Sequence, residues 1–330
     1  MSRGKWQQYG LRSIAIYKTL HALFDISVKQ AGSVYLASDE TELTLTRELH
    51  DINLEEGYSS VLLSAEQCLR QYPGLKKSYC RGGLFFPEEI TVEPDRMIHR
   101  LILYLQEQLG VDYRPGTPVM QCEPAGNYCS VTDTFGNNYR GDKVVICNGR
   151  DFRLLFPTVF YQSDIKVSKL QMMKTLPQPG YHLPGSILTG LSIRRYESFS
   201  ECPSYTKLNA ADIDDSCKKW GIHILFKQAD DGGIIIGDSH EYATAEKQDE
   251  LGFQVNEGIN ALIISEAKRI FDLPHWHLAS TWNGFYSQSS MHDVFDKEVA
   301  PGIRVVTAIG GKGMTGSAGY SEASIDKMFS

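Results

Sequence analysis

Apolar residues recur at three- and four-residue steps over 6–25, where Trp6, Leu11, Ile14, Tyr17, Leu20 and Phe24 predict an opening helix. Residues 32–37 read as a strand. Ser38-Asp39 with Glu42 behind it predicts a capped helix over 40–57. Ser64-Ala65-Glu66-Gln67 predicts a second capped start, for a short helix that stops before Pro73-Gly74, and 81–86 a further strand. The most regular helical pattern is 94–109. There Met97, Ile98, Leu101, Leu105 and Leu109 predict an inward stripe, and Gly110 a stop.

Short strands are expected at 111–113, 118–122 and 128–132, with Gly136-Asn137-Asn138 as a hairpin turn. Residues 143–147 read as a buried strand ending at Asn148-Gly149. From about 160 the texture changes. Strand-like runs at 165–174, 186–196, 221–228 and 233–237 are joined by polar or Pro/Gly segments, 250–271 predicts one long helix, and 275–282 a returning strand. The last strand, 303–309, is apolar apart from Arg304 and Thr307 and reads as a central parallel strand. It runs into the glycine-rich segment 310–319 and a short helix. A mixed α/β part (about 91–155), a β-rich part (about 156–287) and a return to strand–Gly–helix (303–329) predict a ligand site where two domains meet.

The length, 330 residues, suits two domains. A net charge of −7 argues against a general binder of nucleic acid or anionic membrane, while leaving a local arginine pocket free to hold an anion. No apolar run reaches a bilayer-spanning length, and no apolar region follows the polar first eight residues. Seven scattered cysteines without a C-x-x-C pair read as free thiols in a reducing cytoplasm. Cys122 and Cys129 can face each other across a hairpin, but read better as small semi-buried residues.

The candidate chemistry begins at the tail. Glycines let backbone approach a ligand closely, and a helix N-terminus offers free N–H groups, so the 310–319 segment suits something flat and electron-rich. Its structural alternative is a tight turn built for close packing. Thr315 and Ser317 can bond ring or phosphate oxygens, and Lys312 can hold a negative ligand or sit in solvent. Arg194 and Arg195 read as neighbours on a strand, one facing a pocket and the other solvent; arginine suits capture of carboxylate, phosphonate or phosphate. In 238–242, His240 can bind an anion, orient an amine or act as a base, and Asp238 shares its strand face. No further ligand stands at metal-like spacing, so no metal is expected. His275 and His277 read as structural. Residues 282–286 can wall a pocket or fill an aromatic core.

Together, 32–37, 144–149, 155–157, 169–173, 194–196, 221–223, 236–242, 282–286 and 310–319 resemble the FAD-dependent oxidoreductases of the D-amino-acid oxidase / glycine oxidase family. The likeness is nearest to the subgroup associated with aminophosphonate breakdown in bacteria. It runs through nearly the whole chain, and the runs at 169–173, 236–242 and 310–319 are its most specific parts. The resemblance implies an α/β fold, with a Rossmann-like FAD-binding domain (1–31, 91–155 and 288–330) and a β-rich mixed-sheet substrate domain (32–90 and 156–287). It implies oxidation of a small anionic amine, 2-aminoethylphosphonate or its N-methyl derivative, by hydride transfer to the flavin and hydrolysis of the imine to an aldehyde. Glycine, sarcosine or a D-amino acid is the alternative within the class.

By the same resemblance, Gly310, Gly311, Gly313, Met314 and Thr315 match the loop against the flavin ring, Val119 the strand near the adenine, and Asn148 and Gly149 the turn after the second cofactor strand. Arg194, Arg195, Tyr196, His240 and Trp282 are the candidates for substrate binding, with His240, Tyr242 and Lys312 for catalysis. The family opens with a strand, G-x-G-x-x-G and a helix, which this sequence does not show near its start. The expectation is therefore an incomplete FAD domain. The readings it leaves are a fragment, an inactive remnant that binds a small anion, and a chain completed by another polypeptide; a homo-oligomer is also expected as possible quaternary structure.

Overall fold

The computed structural model describes residues 4–208 and 213–330; the first three residues assigned above to the cofactor domain lie outside it. Nine strands form the main sheet. Leu278–Gln288 stands at one edge and pairs along its length with Lys166–Thr175. The far side of Lys166–Thr175 is shared by Glu241–Thr244 and Ile234–Gly237, one after the other. Leu225–Gln228, Ser186–Leu188, Ser33–Ala37, Gly82–Phe86 and Val61–Ser64 follow in order. All neighbours are antiparallel except Ser186–Leu188 with Ser33–Ala37. Ser33–Ala37 is buried at every position, as a strand covered on both faces must be.

Two helices close the faces of this sheet. Glu257–Ile270 packs Ile259, Ile263 and Ile270 onto Phe226, Ile234 and Ile236. Glu40–Glu55 lays Leu45 and Leu49 against Tyr35, Leu84 and Phe86 on the other side. The start signals read correctly. Asp39 accepts from the Glu42 N–H, and Ser64 and Gln67 form a reciprocal capping box for Ala65–Gln71.

A second region carries two small sheets. Val119–Ala125, Tyr128–Asp133 and Asn138–Gly141 make a meander whose turn is held by the Asp133 carboxylate, which accepts from the Phe135 and Asn137 N–H groups. Phe295–Ala300, Ile303–Thr307 and Val144–Ile146 make the other, the last two parallel. The opening helix, Lys5–Leu23, lies along the closing helix, Gly313–Phe329. Their contact is tight: the Gly319 N–H donates to buried Ser13 Oγ at 2.9 Å.

Several expectations are corrected. Residues 111–113 form no strand. The 186–196 run is a strand only over Ser186–Leu188; Thr189 ends it, and Gly190–Ile193 is a helical turn with Arg194 as its C-cap, so strand alternation does not apply to the two arginines. The helix expected over 250–271 starts only at Glu257, because Gly252 adopts φ 58 and Asn256 caps the new start. The strand expected from 275 starts at Leu278 and continues to Gln288. Val144–Ile146 is half-exposed rather than buried, since it ends its sheet. Pro94–Leu109 forms as expected, yet of its apolar stripe Met97 is buried while Ile98 and Leu109 are exposed. All seven cysteines are free thiols, Cys147 exposed and the others buried. No helix among the described residues is long and apolar enough to cross a membrane.

Candidate active site at the junction of the two regions

The glycine turn is short. Gly310–Lys312 is a single 3-10 turn, and Gly313 already begins the closing helix. Gly310 needs its φ of 65, a conformation other residues adopt at a cost. Gln288 bridges to Ile309, which docks the turn on the end of the longest strand of the main sheet. Between turn and strand lies an open cavity of about 490 Å³ lined by Gln288, Ser290, Asp293, Gly310, Gly311 and Lys312. The turn therefore faces a cavity between itself and the end of that strand.

Not all of the glycines serve that cavity. Gly311, Gly313 and Gly316 stand at G-x-G-x-x-G spacing, but a Cβ on Gly316 would lie 2.8 Å from the Trp6 ring, and one on Gly319 2.5 Å from the Tyr9 carbonyl oxygen. Gly316 and Gly319 are notches for the opening helix. Met314 and Thr315 are exposed on the first turn of the closing helix. The Lys312 ammonium is paired with Asp293, stands 3.5 Å from Glu197, and lies over the Trp6 ring.

The residues present fit the ring end of a flavin. The buried side-chain oxygen of Asn148 has no hydrogen-bond partner, while its amide donates to the Asp151 carbonyl. Next to it, Gly149 has φ 58 and open space where a Cβ would stand. The Gly149 carbonyl is anchored from behind by the Ser287 and Thr307 hydroxyls, each at 2.7 Å. That leaves a held turn with an unsatisfied acceptor, alongside a second glycine turn at a helix N-terminus. Val119 opens the meander strand opposite Asp133.

On the main sheet, three side chains fall in one row. Ser168 pairs with Tyr242 on one side and with Tyr286 on the other, and cross-strand neighbours share a face. Ser168 Oγ is buried without a hydrogen-bond partner. His240 bridges the row: its ring stacks on Tyr242, centroids 6.0 Å apart, and its Nε2 is 3.1 Å from the Tyr286 hydroxyl. Backbone bonds fix the neighbours. His223 and Asp238 exchange both N–H···O bonds, at 3.1 and 2.7 Å, and the His240 N–H donates to the Trp220 carbonyl at 2.7 Å.

This brings a third ionisable group to the pair seen in the sequence. His223 Nδ1 lies 2.6 Å from Asp238 Oδ1, close but poorly aligned for a hydrogen bond. His240 Nδ1 is 3.5 Å from the same oxygen. The three donor atoms lie within 4.8 Å of one another and are buried. The 2.6 Å approach is shorter than the ~3.3 Å between tetrahedral ligands at bond lengths of about 2.0–2.1 Å, so the arrangement is that of a His–Asp pair. Burial, first of all, pushes the His240 pKa down to about 4; Asp238 pulls it back, and Arg195 and His223 push it further. His240 is thus neutral at ordinary pH. Burial raises the Tyr286 hydroxyl above its usual range.

The two arginines separate. Arg194 turns inward to Glu42 (Nε to Oε1, 2.6 Å) and Asp39 (2.5 Å), away from the junction row. Arg195 is exposed and donates to the Tyr242 hydroxyl at 3.0 Å. Tyr196 is half-buried with its ring 5.8 Å from His223. Trp282 stands opposite Met172, on the same strand face as Tyr286 but four residues away. The sequence reading named neither His223 nor Tyr286 as a site residue, although it took 282–286 as a possible pocket wall. The alternation of 282, 284 and 286 was a signal for Tyr286, whereas nothing local marks His223, which joins the site only through pairing of 223 with 238.

An α/β scaffold with glycine turns beside an open cavity is an arrangement suited to holding a cofactor. The chain belongs to the FAD dependent oxidoreductase family, whose profile matches residues 2–326. The family is one of FAD-dependent oxidoreductases. It is similar to an opine oxidase subunit of Agrobacterium tumefaciens (strain Ach5), 26% identical over 267 residues that make up 79% of this chain and 59% of that protein. The chain thus spans about three fifths of the length of the curated relatives it matches. Among solved structures, glycine oxidase from Geobacillus kaustophilus superposes with a TM-score of 0.75 at 15% identity, covering 98% of this chain and 79% of the other. FAD-bound L-alpha-glycerophosphate oxidase from Mycoplasma pneumoniae gives 0.73 at 14% identity, covering 96% and 78%. These likenesses show the fold.

Proposed function

We propose that this chain oxidises a small amine carrying an anionic group, with 2-aminoethylphosphonate or its N-methyl derivative as substrate. The observation that carries this reading is the pairing of Arg195 with Tyr242 in the row where neutral His240 reaches Tyr286 at the glycine turn. A guanidinium has a planar fork of five donors for a phosphonate, and the Tyr242 hydroxyl at 3.0 Å and the Gly221 carbonyl at 3.5 Å take only two of them. His240, held neutral by burial, places no charge against an incoming amine. Buried Ser168 and His240 form the dry end of the site, while Tyr242 and Arg195 stay at its open rim. FAD, when bound, supplies the acceptor for the hydride that leaves the carbon next to the nitrogen. The chain's part is positioning and desolvation.

Support for the aminophosphonate comes from the motif likeness at 169–173, 236–242 and 310–319. The glycine-oxidase likeness favours a second reading, with glycine, sarcosine or a D-amino acid, because Arg195 would hold a carboxylate equally well. The test is peroxide release by FAD-loaded protein offered a panel of amines. Aldehyde from 2-aminoethylphosphonate ahead of glycine and sarcosine is the expected result. Preference for the amino acids moves the reading to the second substrate class. A chain that takes up no flavin and releases no peroxide with any amine ends it.

A further inference from the structure

Tyr286 joins the two halves of the site. Its hydroxyl is 3.1 Å from His240 Nε2 and 3.8 Å from where a Cβ on Gly311 would lie. His240 Nδ1 faces two acceptors, the Gly221 carbonyl at 3.4 Å and Asp238 Oδ1 at 3.5 Å. A neutral imidazole has one N–H, and acceptors on the Nδ1 side place it there, leaving Nε2 a bare lone pair. Tyr286 therefore donates to His240. Its proton is committed, and its oxygen keeps two lone pairs for donors. Ser168, in register beside it, brings one hydroxyl and can occupy one of them.

We propose that Tyr286 is a catalytic residue whose phenol oxygen accepts a hydrogen bond from the substrate N–H beside the glycine turn, and that Asp238 and His240 are positioning residues that keep its hydroxyl turned this way. This rests on the amine-oxidase reading above and adds a rule of specificity. A neutral primary or secondary amine still has an N–H to give. A neutral tertiary amine has none, and is disfavoured by that one bond.

Histidine-labelled chain without flavin provides the first test, by long-range nitrogen–proton NMR with His240→Asn assigning the signal. The expected spectrum has His240 protonated at Nδ1, with an Nε2 signal that moves in Tyr286→Phe and on titration with 2-aminoethylphosphonate. Protonation at Nε2 overturns the proposal. With FAD-loaded protein, the N,N-dimethyl derivative is expected to have a kcat/KM about tenfold below that of the N-methyl amine, the size of one lost hydrogen bond. Tyr286→Phe is expected to lower kcat/KM for the N-methyl amine to the dimethyl level and abolish the difference. Discrimination that survives in Tyr286→Phe sinks the assignment. A ligand-induced Nε2 shift without turnover of any amine sinks the oxidase reading alone.

Discussion

The guanidinium of Arg194 and the carboxylate of Glu42 lie 2.6 Å apart, with Glu42 2% exposed at the side chain and its second oxygen accepting from both the backbone N–H and the hydroxyl of Ser38 at 2.7 Å. A carboxylate so enclosed depends on its partner, because an ion left alone in a buried site costs several kcal/mol. Arg194→Ala is therefore expected to lower unfolding stability by about 3 kcal/mol, read as a shift of the urea midpoint. A midpoint unchanged from the parent would show that the pair holds nothing together.

Arg195 should behave in the opposite way. It is exposed, and its partner Tyr242 is half-exposed. Arg195→Ala is expected to leave the melting temperature nearly unchanged while raising KM for an anionic amine about 10–100-fold, the loss of a charge-assisted pair. An uncharged amine of similar size should show no such rise. Equal effects on both substrates would place the anion elsewhere.

The contrast between these neighbours shows what the sequence could and could not reveal. Helix starts were legible because their signals are local: Asp39 and Ser64 bond N–H groups three residues on. The glycine turn was legible for the same reason, as an apolar strand followed by residues able to take positive φ. Arg194 and Arg195 were not separable, because the helical turn at Gly190–Ile193 replaces strand alternation and the acids that claim Arg194 lie some 150 residues earlier, as Asp39 and Glu42. His223 was invisible for the same physical reason: its partner Asp238 arrives by strand pairing. Gly316 and Gly319 were read as part of a ligand loop, whereas their neighbours are Trp6 and Tyr9, some 300 residues away in the chain.

Acid should weaken the fold through His240. Its folded pKa is depressed to about 4, against about 6.5 for an unfolded histidine. As pH falls from about 6.5 to 4, the unfolded chain binds a proton that the folded chain refuses. Stability therefore drops across that window, by up to about 3 kcal/mol, and is restored as pH rises. Comparing urea midpoints of parent and His240→Gln across about pH 4–7 isolates this contribution from that of the carboxylates. Parallel curves for the two proteins would mean that His240 titrates normally.

The two terminal helices should be separable by a single methyl group. A Cβ on Gly319 would stand 2.5 Å from the Tyr9 carbonyl oxygen and 3.0 Å from Arg12 Cβ, both belonging to the opening helix. Backbone cannot yield as a flexible side chain does, so the helices must move apart. That would also stretch the buried bond from the Gly319 N–H to Ser13 Oγ. Against this, alanine is the better helix former by about 0.8–1 kcal/mol. Overpacking of this kind costs about 1–3 kcal/mol, so a net loss of stability is expected despite the gain in propensity. Gly319→Ala should also raise hydrogen exchange of the Lys5–Leu23 amides while leaving the Lys166–Thr175 strand protected. A more stable variant with unchanged exchange in the opening helix would show that propensity outweighs the contact, and that the helix pair is looser than 2.5 Å implies.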